Sequence, residues 1–146
     1  MPRRMISEVI AGQTLLTVGP DASVRAAARM MAEKHVGAVL VLEAGRLAGI
    51  FTERDALNKV LAAGLDADTT PLAQVMVRNL QTILPDKPLA YALHMMAEGG
   101  FRHVPVVDAA GAPLGMVSAR DALGQDMVDL ERDLQRLSEL ENSIGY

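Results

Sequence analysis

Two short apolar runs, AVLVL at 38–42 and HVPVV at 103–107, are each followed by a second apolar run that ends in a hydroxyl residue. Such β-branched runs are too short for helices, and they predict strands that are covered on both faces. Before the first run, apolar residues recur at intervals of three and four, as at Val24, Ala27 and Met31, which predicts an amphipathic helix. With the short pieces LLTV and QTIL in front, the pattern predicts the order βαββα twice.

The second half of the chain repeats the first. Thr17 aligns with Thr82, which sets the shift between the two copies at 65 residues. One residue is inserted in the turn between the paired strands, so the shift becomes 66 and Asp55 aligns with Asp121. Because the register holds on both sides of this turn, we interpret the chain as a tandem duplication.

The duplication sets the predicted domain organisation. The segments are an N-terminal segment that packs on the pair (1–14), a first repeat (15–64), a linker (65–80), a second repeat (81–126) and a C-terminal helical extension (127–146). In the linker, Thr70 is the predicted N-cap and Pro71 the first residue of a short helix. In the extension, Met127, Leu130 and Leu134 begin an apolar stripe, which either packs on its own subunit or docks across a homodimer. We expect a homodimer that forms through the helices of the two repeats, with the tail helix contributing.

Composition and charge narrow the classes of protein. The chain has 146 residues, half of them hydrophobic, so it can bury a core without disulfides. The sequence has no cysteine, which excludes thiolate metal sites and favours a reducing cytoplasm. The net charge of -4 argues against a nucleic-acid surface, and no apolar run reaches the roughly 18 to 20 residues that span a membrane. No catalytic motif or metal-ligand cluster is visible, so we expect neither an enzyme nor a catalytic cofactor.

Three motifs carry a family resemblance: the opening T-x-x-P-D, the central strands VGAVLV and RHVPVVD, and the junctions GIFTERD and GMVSARD. With both copies in register, residues 15–126 resemble a tandem CBS-domain pair, a module named from cystathionine β-synthase. The resemblance implies an α+β fold in which two βαββα repeats form a pseudo-twofold pair (a Bateman module), here with an extended C-terminal helix. It also implies two clefts between the repeats, which in many relatives bind AMP, ATP, NAD or S-adenosylmethionine. We expect the stand-alone bacterial type.

The repeated junction motif suits a nucleotide by its chemistry alone. A carboxylate can accept hydrogen bonds from both hydroxyls of a ribose, and such charge-assisted bonds contribute about 1.5 to 3 kcal/mol each. The hydroxyl residue ends the strand near free N–H groups at the helix start, where anions are favoured, and the arginine supplies a cation for a phosphate. The hydroxyl, arginine and aspartate are Thr52, Arg54 and Asp55 in the first copy and Ser118, Arg120 and Asp121 in the second.

An adenine base needs an apolar slot with backbone polar groups at its edge, which the start of each central strand can provide. The candidates are Val36, Gly37 and Ala38 in the first copy, Arg102, His103, Val104 and Pro105 in the second, and the opening-strand hydroxyls of Thr17 and Thr82. The sequence leaves open which strand start faces which aspartate.

We expect a regulatory module that binds an adenosine-containing small molecule and passes the change to an unidentified partner protein. The alternative is a ligand-free scaffold that serves dimerisation, with the aspartates acting as helix caps. We expect ribose recognition in each cleft, because both copies have the hydroxyl, arginine and aspartate. The two sites should be unequal, because Glu53 corresponds to the uncharged Ala119 and the positions of Gly37 and Ala38 carry larger polar side chains in the second copy.

Overall fold

The computed structural model describes residues 4–122 and 124–144. Helix α1 (Ile6–Ile10) precedes a first half that contains β1 (Thr17–Val18), α2 (Val24–Lys34), β2 (Ala38–Glu43), β3 (Arg46–Thr52) and α3 (Glu53–Asp55), which continues as π-helical turns at Ala56–Leu61. Helix α4 (Leu72–Val75) precedes a second half that contains α5 (Leu89–Gly99), β4 (His103–Val107), β5 (Pro113–Ser118), α6 (Ala119–Ala122) and α7 (Gly124–Ile144). The fold is α+β, as predicted.

The first half holds a three-stranded sheet, in which β2 pairs in parallel with β1 and antiparallel with β3. The second half holds the antiparallel pair β4–β5, and its opening strand is reduced to one bridge between Ile83 and Val106. A proline accounts for the difference. In the first half the N–H of Leu40 donates to the carbonyl of Leu16 at 3.1 Å, whereas the equivalent of Leu40 is Pro105, which has no N–H to donate.

Each half has its own core, built from equivalent positions. The buried residues include Val24, Ala27, Met31, Val39, Val41 and Phe51 in the first half, and Leu89, Ala92, Met96, Val104, Val106 and Val117 in the second. Strand β2 is buried on both faces, as predicted, because Ala38 and Leu40 face away from the first core and form a further cluster with Ile50. Met116 of the second half packs against that cluster, which joins the two halves.

The two short helices outside the repeats are structural parts of the opposite halves. Helix α1 belongs to the core of the second half, where Ile6 is fully buried. Helix α4 places Leu72 and Val75 in the core of the first half. The N-terminal segment and the linker therefore supply buried residues to the two cores. The sequence predicted only that the first packs on the pair and that the second connects the repeats.

The predicted start of the linker helix is wrong by one residue. Helix α4 begins at Leu72, and Pro71 is extended (φ -76°, ψ 152°) at the N-cap position. Pro71 forms a β-bridge with Ser23, which requires that extended backbone. Thr70 does not cap the helix; it is buried, and its carbonyl accepts the N–H of Val24 at 2.9 Å.

A glycine in each junction motif allows the outer segment to approach the strand. A Cβ on Gly49 would lie 2.9 Å from the carbonyl oxygen of Val77, and one on Gly115 would lie 2.8 Å from Oε1 of Gln13 and 2.9 Å from Cβ of Ile10. Real Cβ atoms essentially never show contacts under 3.0 Å. The glycine of GIFT and of GMVS is therefore required by packing.

The side chain of Gln13 replaces a backbone bridge. In the first half, Ile50 and Val77 exchange two backbone hydrogen bonds of 3.0 and 2.9 Å. In the second half, Nε2 of Gln13 donates to the carbonyl of Met116 and the N–H of Met116 donates to Oε1 of Gln13, both at 2.8 Å. Met116 is the equivalent of Ile50, so one side-chain amide completes the strand edge that a peptide group completes in the other half.

Replacing this amide should destabilise the second half. Gln13→Ala removes two hydrogen bonds and leaves two backbone groups of Met116 without these partners, so we expect the free energy of unfolding to fall by about 1 to 3 kcal/mol. Urea denaturation measures the change. Gln74→Ala, at an exposed position of α4, is the matched control and should change stability little. Equal losses in the two variants would contradict the assigned role of Gln13.

Candidate functional site

Two cavities lie between the halves, and each is lined by residues of both. Cavity A, of about 590 Å³, combines the strand start Val36–Ala38 of the first half with the junction Ser118–Asp121 of the second. Cavity B, of about 470 Å³, combines the strand start Phe101–His103 of the second half with the junction Thr52–Asp55 of the first. The strand start of the first half therefore faces Asp121, whereas Arg102 and His103 of the second strand start border both cavities and so lie near both aspartates, which the sequence had left open.

The structure brings most of the predicted site residues to these cavities. Cavity A is lined by Val36, Gly37, Ala38, Arg102, His103, Ser118, Arg120 and Asp121, and cavity B by Thr52, Arg54, Asp55, Arg102, His103 and Pro105. Thr17, Thr82 and Val104 are absent from both linings. Val104 is fully buried in the second core, and the neighbours of the two threonines, Leu16 and Gln81, line cavities A and B instead.

At each junction the hydroxyl and the carboxylate form a reciprocal capping box. The N–H and the hydroxyl of Thr52 donate to Oδ2 of Asp55 at 3.0 Å each, and the N–H of Asp55 donates to Oγ1 of Thr52 at 3.2 Å. Ser118 and Asp121 repeat this arrangement at 2.8, 3.0 and 3.2 Å. Both aspartates are thus helix caps, and capping uses Oδ2 only, so the role does not exclude ligand contacts through Oδ1.

The junctions differ at a lysine that the sequence analysis did not single out. Lys59 lies in the π-helical turns after α3, where an ordinary helix was predicted, and its Nζ lies 3.2 Å from Oδ1 of Asp55. The same Nζ donates to the carbonyl of Val75 at 3.1 Å. The aligned residue in the second copy is Gln125, which carries no charge. Comparing the two copies position by position would have revealed this difference.

Three polar side chains form the wall between the cavities, because Glu53, Arg102 and His103 line both. Gly37 leaves room for this wall, since a Cβ there would lie 3.2 Å from Oε1 of Glu53 and 3.6 Å from Cε1 of His103. Glu53 and the two larger polar residues were expected to make the clefts unequal. They are shared instead, so they cannot by themselves distinguish cavity A from cavity B.

The remaining polar groups suit anions and hydroxyls. Arg120 adds a guanidinium to cavity A, and Arg54 adds one to cavity B, where its Nη1 donates to the carbonyl of Gly100 at 3.4 Å. Within residues 4–122 and 124–144, no three metal-binding side chains cluster, and no helix is long and apolar enough to cross a membrane.

Burial lowers the pKa of His103 below its ordinary value of 6.5. The carboxylates of Glu53 and Asp121 oppose this shift, and the guanidinium of Arg102 adds to it. The folded protein therefore favours the neutral imidazole in the wall between the cavities.

Stability should depend on pH through this histidine. Between the lowered pKa of folded His103 and about 6.5, the unfolded chain binds more protons, so the folded state loses stability as the pH falls through this window. Between about pH 7.5 and 5, His103→Gln should lose less of its free energy of unfolding than the parent, as measured by urea denaturation at each pH. His94→Gln, at an exposed position, is the control. Identical pH dependence in parent and His103→Gln would exclude the effect.

Comparison with known proteins decides the family. The family model of the CBS domain matches residues 5–62 and 72–126. The chain belongs to the CBS-domain family. Among curated CBS proteins of Arabidopsis thaliana, CBSCBSPB1 is 36% identical over 118 residues, which are 80% of this chain and 22% of that protein. The mitochondrial protein CBSX3 is 33% identical over 123 residues, 81% of this chain and 59% of that one, so the chain spans only part of both relatives.

Solved structures agree with this CBS assignment. A protein with CBS domains from Burkholderia ambifaria MC40-6 superimposes with a TM-score of 0.80 at 29% identity, over 86% of this chain and 95% of that one. A CBS domain protein from Pyrobaculum aerophilum, complexed with AMP, gives a TM-score of 0.74 at 28% identity, over 80% of this chain and 88% of that one. The predicted CBS resemblance and fold class are confirmed.

Proposed function

We propose that this protein is a regulatory module that senses an adenosine-containing nucleotide, such as AMP, ATP or NAD, in the cavities between its CBS repeats. The observation that carries the proposal is that each cavity joins the aspartate and arginine of one half to the strand start of the other. The AMP complex of the Pyrobaculum aerophilum relative supports this ligand class.

Cavity A offers a place for each part of such a ligand. The base lies against Val36–Ala38, the ribose diol reaches Oδ1 of Asp121, and the phosphate lies toward the cations Arg102 and Arg120. His103 borders the same space, and a phosphate beside it would favour its protonated form. The ligand would thus contact both halves at once.

A ligand that contacts both halves can regulate their relative position. A ligand shifts a conformational equilibrium only by its difference in affinity for the two states, and a ligand that bridges the halves responds to their relative position. The protein itself performs no reaction in this proposal, so the nucleotide is a regulatory ligand and not a catalytic cofactor. A partner protein in the cytoplasm reads the change.

A thermal-shift series tests the proposal. Binding to the folded state should raise the melting temperature with adenosine, AMP, ATP, NAD or S-adenosylmethionine, and a ligand at 100 times its Kd contributes about 2.7 kcal/mol. Asp121→Asn and 2′-deoxy ligands should each remove most of the shift, because both weaken the contact between carboxylate and diol. Asp86→Asn, at an exposed loop position, is the control. A full shift in Asp121→Asn would mean that Asp121 is only a helix cap.

The scaffold alternative rests on a different observation, the apolar stripe of α7. The exposed residues of this stripe are Leu130, Leu134, Leu137, Leu140 and Ile144, each with more than half of its surface accessible. The stripe predicted from Leu130 onward is present on α7. The side chain of Met127, its predicted first residue, lies outside the described part of the structure. We infer that α7 of a second copy covers it, because the spacings of four and three from Leu130 to Leu137 are those of a coiled-coil seam and a twofold dimer matches a surface with itself. Dimerisation is compatible with nucleotide sensing.

Light scattering tests the homodimer. The full chain should have the mass of a dimer. Truncation after Gln125 removes most of α7 and should shift the mass toward that of the monomer. Leu134→Glu should do the same, because a buried carboxylate without a partner is strongly unfavourable. Arg132→Glu, on the opposite side of α7, is the control for the added negative charge. A full chain that stays monomeric at high concentration would overturn the inferred dimer.

A further inference from the structure

The two junctions have the same capping box, but the first also has a cation at its aspartate, the ammonium group of Lys59. We infer that Lys59 suppresses ribose binding in cavity B, so that each chain binds one nucleotide, in cavity A. This inference rests on the proposed function, since it concerns the same class of ligand. It identifies Lys59 as a residue that determines stoichiometry, although Lys59 lines neither cavity.

The acceptor capacity of Asp55 is nearly used up. A carboxylate has about four lone-pair positions. The N–H and hydroxyl of Thr52 take two of these on Oδ2, and the ammonium of Lys59 takes one on Oδ1. About one position is left, whereas a ribose diol donates two hydrogen bonds. The side chain of Asp55 is also only 10% exposed, so a ligand has little room to approach it beside the lysine.

Lys59 is fixed in this position from its other side. Its Nζ donates to the carbonyl of Val75, the last residue of α4, whose side chain is buried in the first core. A ribose that displaced the ammonium from Asp55 would break a contact between opposite charges and disturb this second hydrogen bond. The lysine is therefore a competitor that is held at the carboxylate by the fold.

In the second copy, a neutral residue occupies the position that corresponds to Lys59. Ser118 occupies Oδ2 of Asp121 in the same way as Thr52 occupies that of Asp55, but the position of Lys59 is taken by Gln125. A neutral amide holds a carboxylate less strongly than an ammonium group does, so a diol can take the place of any contact that Gln125 makes. The side chain of Gln125 lies outside the described part of α7, but an amide carries no charge.

The charged residues of the wall do not offset this difference. Glu53, Arg102 and His103 border both cavities, and each cavity has one further arginine, Arg54 or Arg120. The second junction also has a cation of its own, but Nη1 of Arg4 donates at 3.0 Å to the backbone carbonyl of Asp121. Among the described residues, Lys59 is the cation that forms an ion pair with a junction carboxylate.

Titration calorimetry in an Asp121→Asn background isolates cavity B. The probes are AMP and adenosine, which share the ribose diol. The parent should bind one equivalent of either probe. Asp121→Asn should bind neither probe measurably. The double variant with Asp121→Asn and Lys59→Gln should regain one equivalent, with an affinity at least about tenfold above any residual affinity of Asp121→Asn. Lys59→Gln alone should bind two. Lys59→Arg keeps a cation and should still bind one equivalent. Lys87→Gln, at an exposed lysine that lines neither cavity, controls for the loss of charge.

The outcomes separate this inference from the proposed function. If the parent binds only another ligand of the thermal-shift series, the same titrations use that ligand as the probe. If the parent binds none of these ligands, the proposed function fails and the inference fails with it. If the parent binds two equivalents, or if Lys59→Gln is folded by its melting curve and still binds one, Lys59 does not set the stoichiometry although sensing stands. If Lys59→Gln does not fold, Lys59→Arg and Asp121→Asn still test the inference. It is overturned if Lys59→Arg binds a second equivalent or if Asp121→Asn binds either probe.

Discussion

The hydrogen bonds between the carboxylate of Asp55 or Asp121 and the residue three positions earlier fix both the strand-to-helix junction of each half and the position of its carboxylate at a cavity. They end a strand and begin a helix at a defined residue, because the carboxylate satisfies an N–H that the helix start would otherwise leave without a partner. The same bonds hold the carboxylate at the edge of a cavity with one oxygen directed elsewhere. Capping through one oxygen is therefore compatible with the ligand contact that we propose for the other oxygen of Asp121.

The halves are joined more closely than a tandem repeat requires. Helix α1 precedes the first repeat and completes the second core, whereas α4 precedes the second repeat and completes the first core. The cavities are likewise composite, each with a strand start from one half and a junction from the other. This arrangement suits a sensor, because a molecule bound in either cavity contacts both halves.

The departures from symmetry have local chemical causes. Pro105 cannot donate a hydrogen bond, so the opening strand of the second half is reduced to a bridge. Gln13 supplies through its side chain the pair of hydrogen bonds that a peptide group supplies in the first half. Lys59 forms an ion pair with Asp55, and the equivalent position in the second copy carries the neutral Gln125. Duplication thus preserved the architecture of the two halves, while single substitutions made their edges and sites different.

The sequence by itself determined the repeated βαββα order, the two cores and the types of residue at the junctions, because hydrophobic periodicity and capping chemistry act over a few neighbouring positions. Only the tertiary structure decided that the first strand start faces Asp121, and that Glu53, Arg102 and His103 are shared by both cavities. It also decided that Thr17, Thr82 and Val104 lie outside the cavity linings. These facts depend on how two distant segments pack against each other, and no local pattern records that packing. The pairing of Lys59 with Asp55 lies between these cases: a spacing of four residues permits it, but the carbonyl of Val75, from another helix, holds the lysine in place.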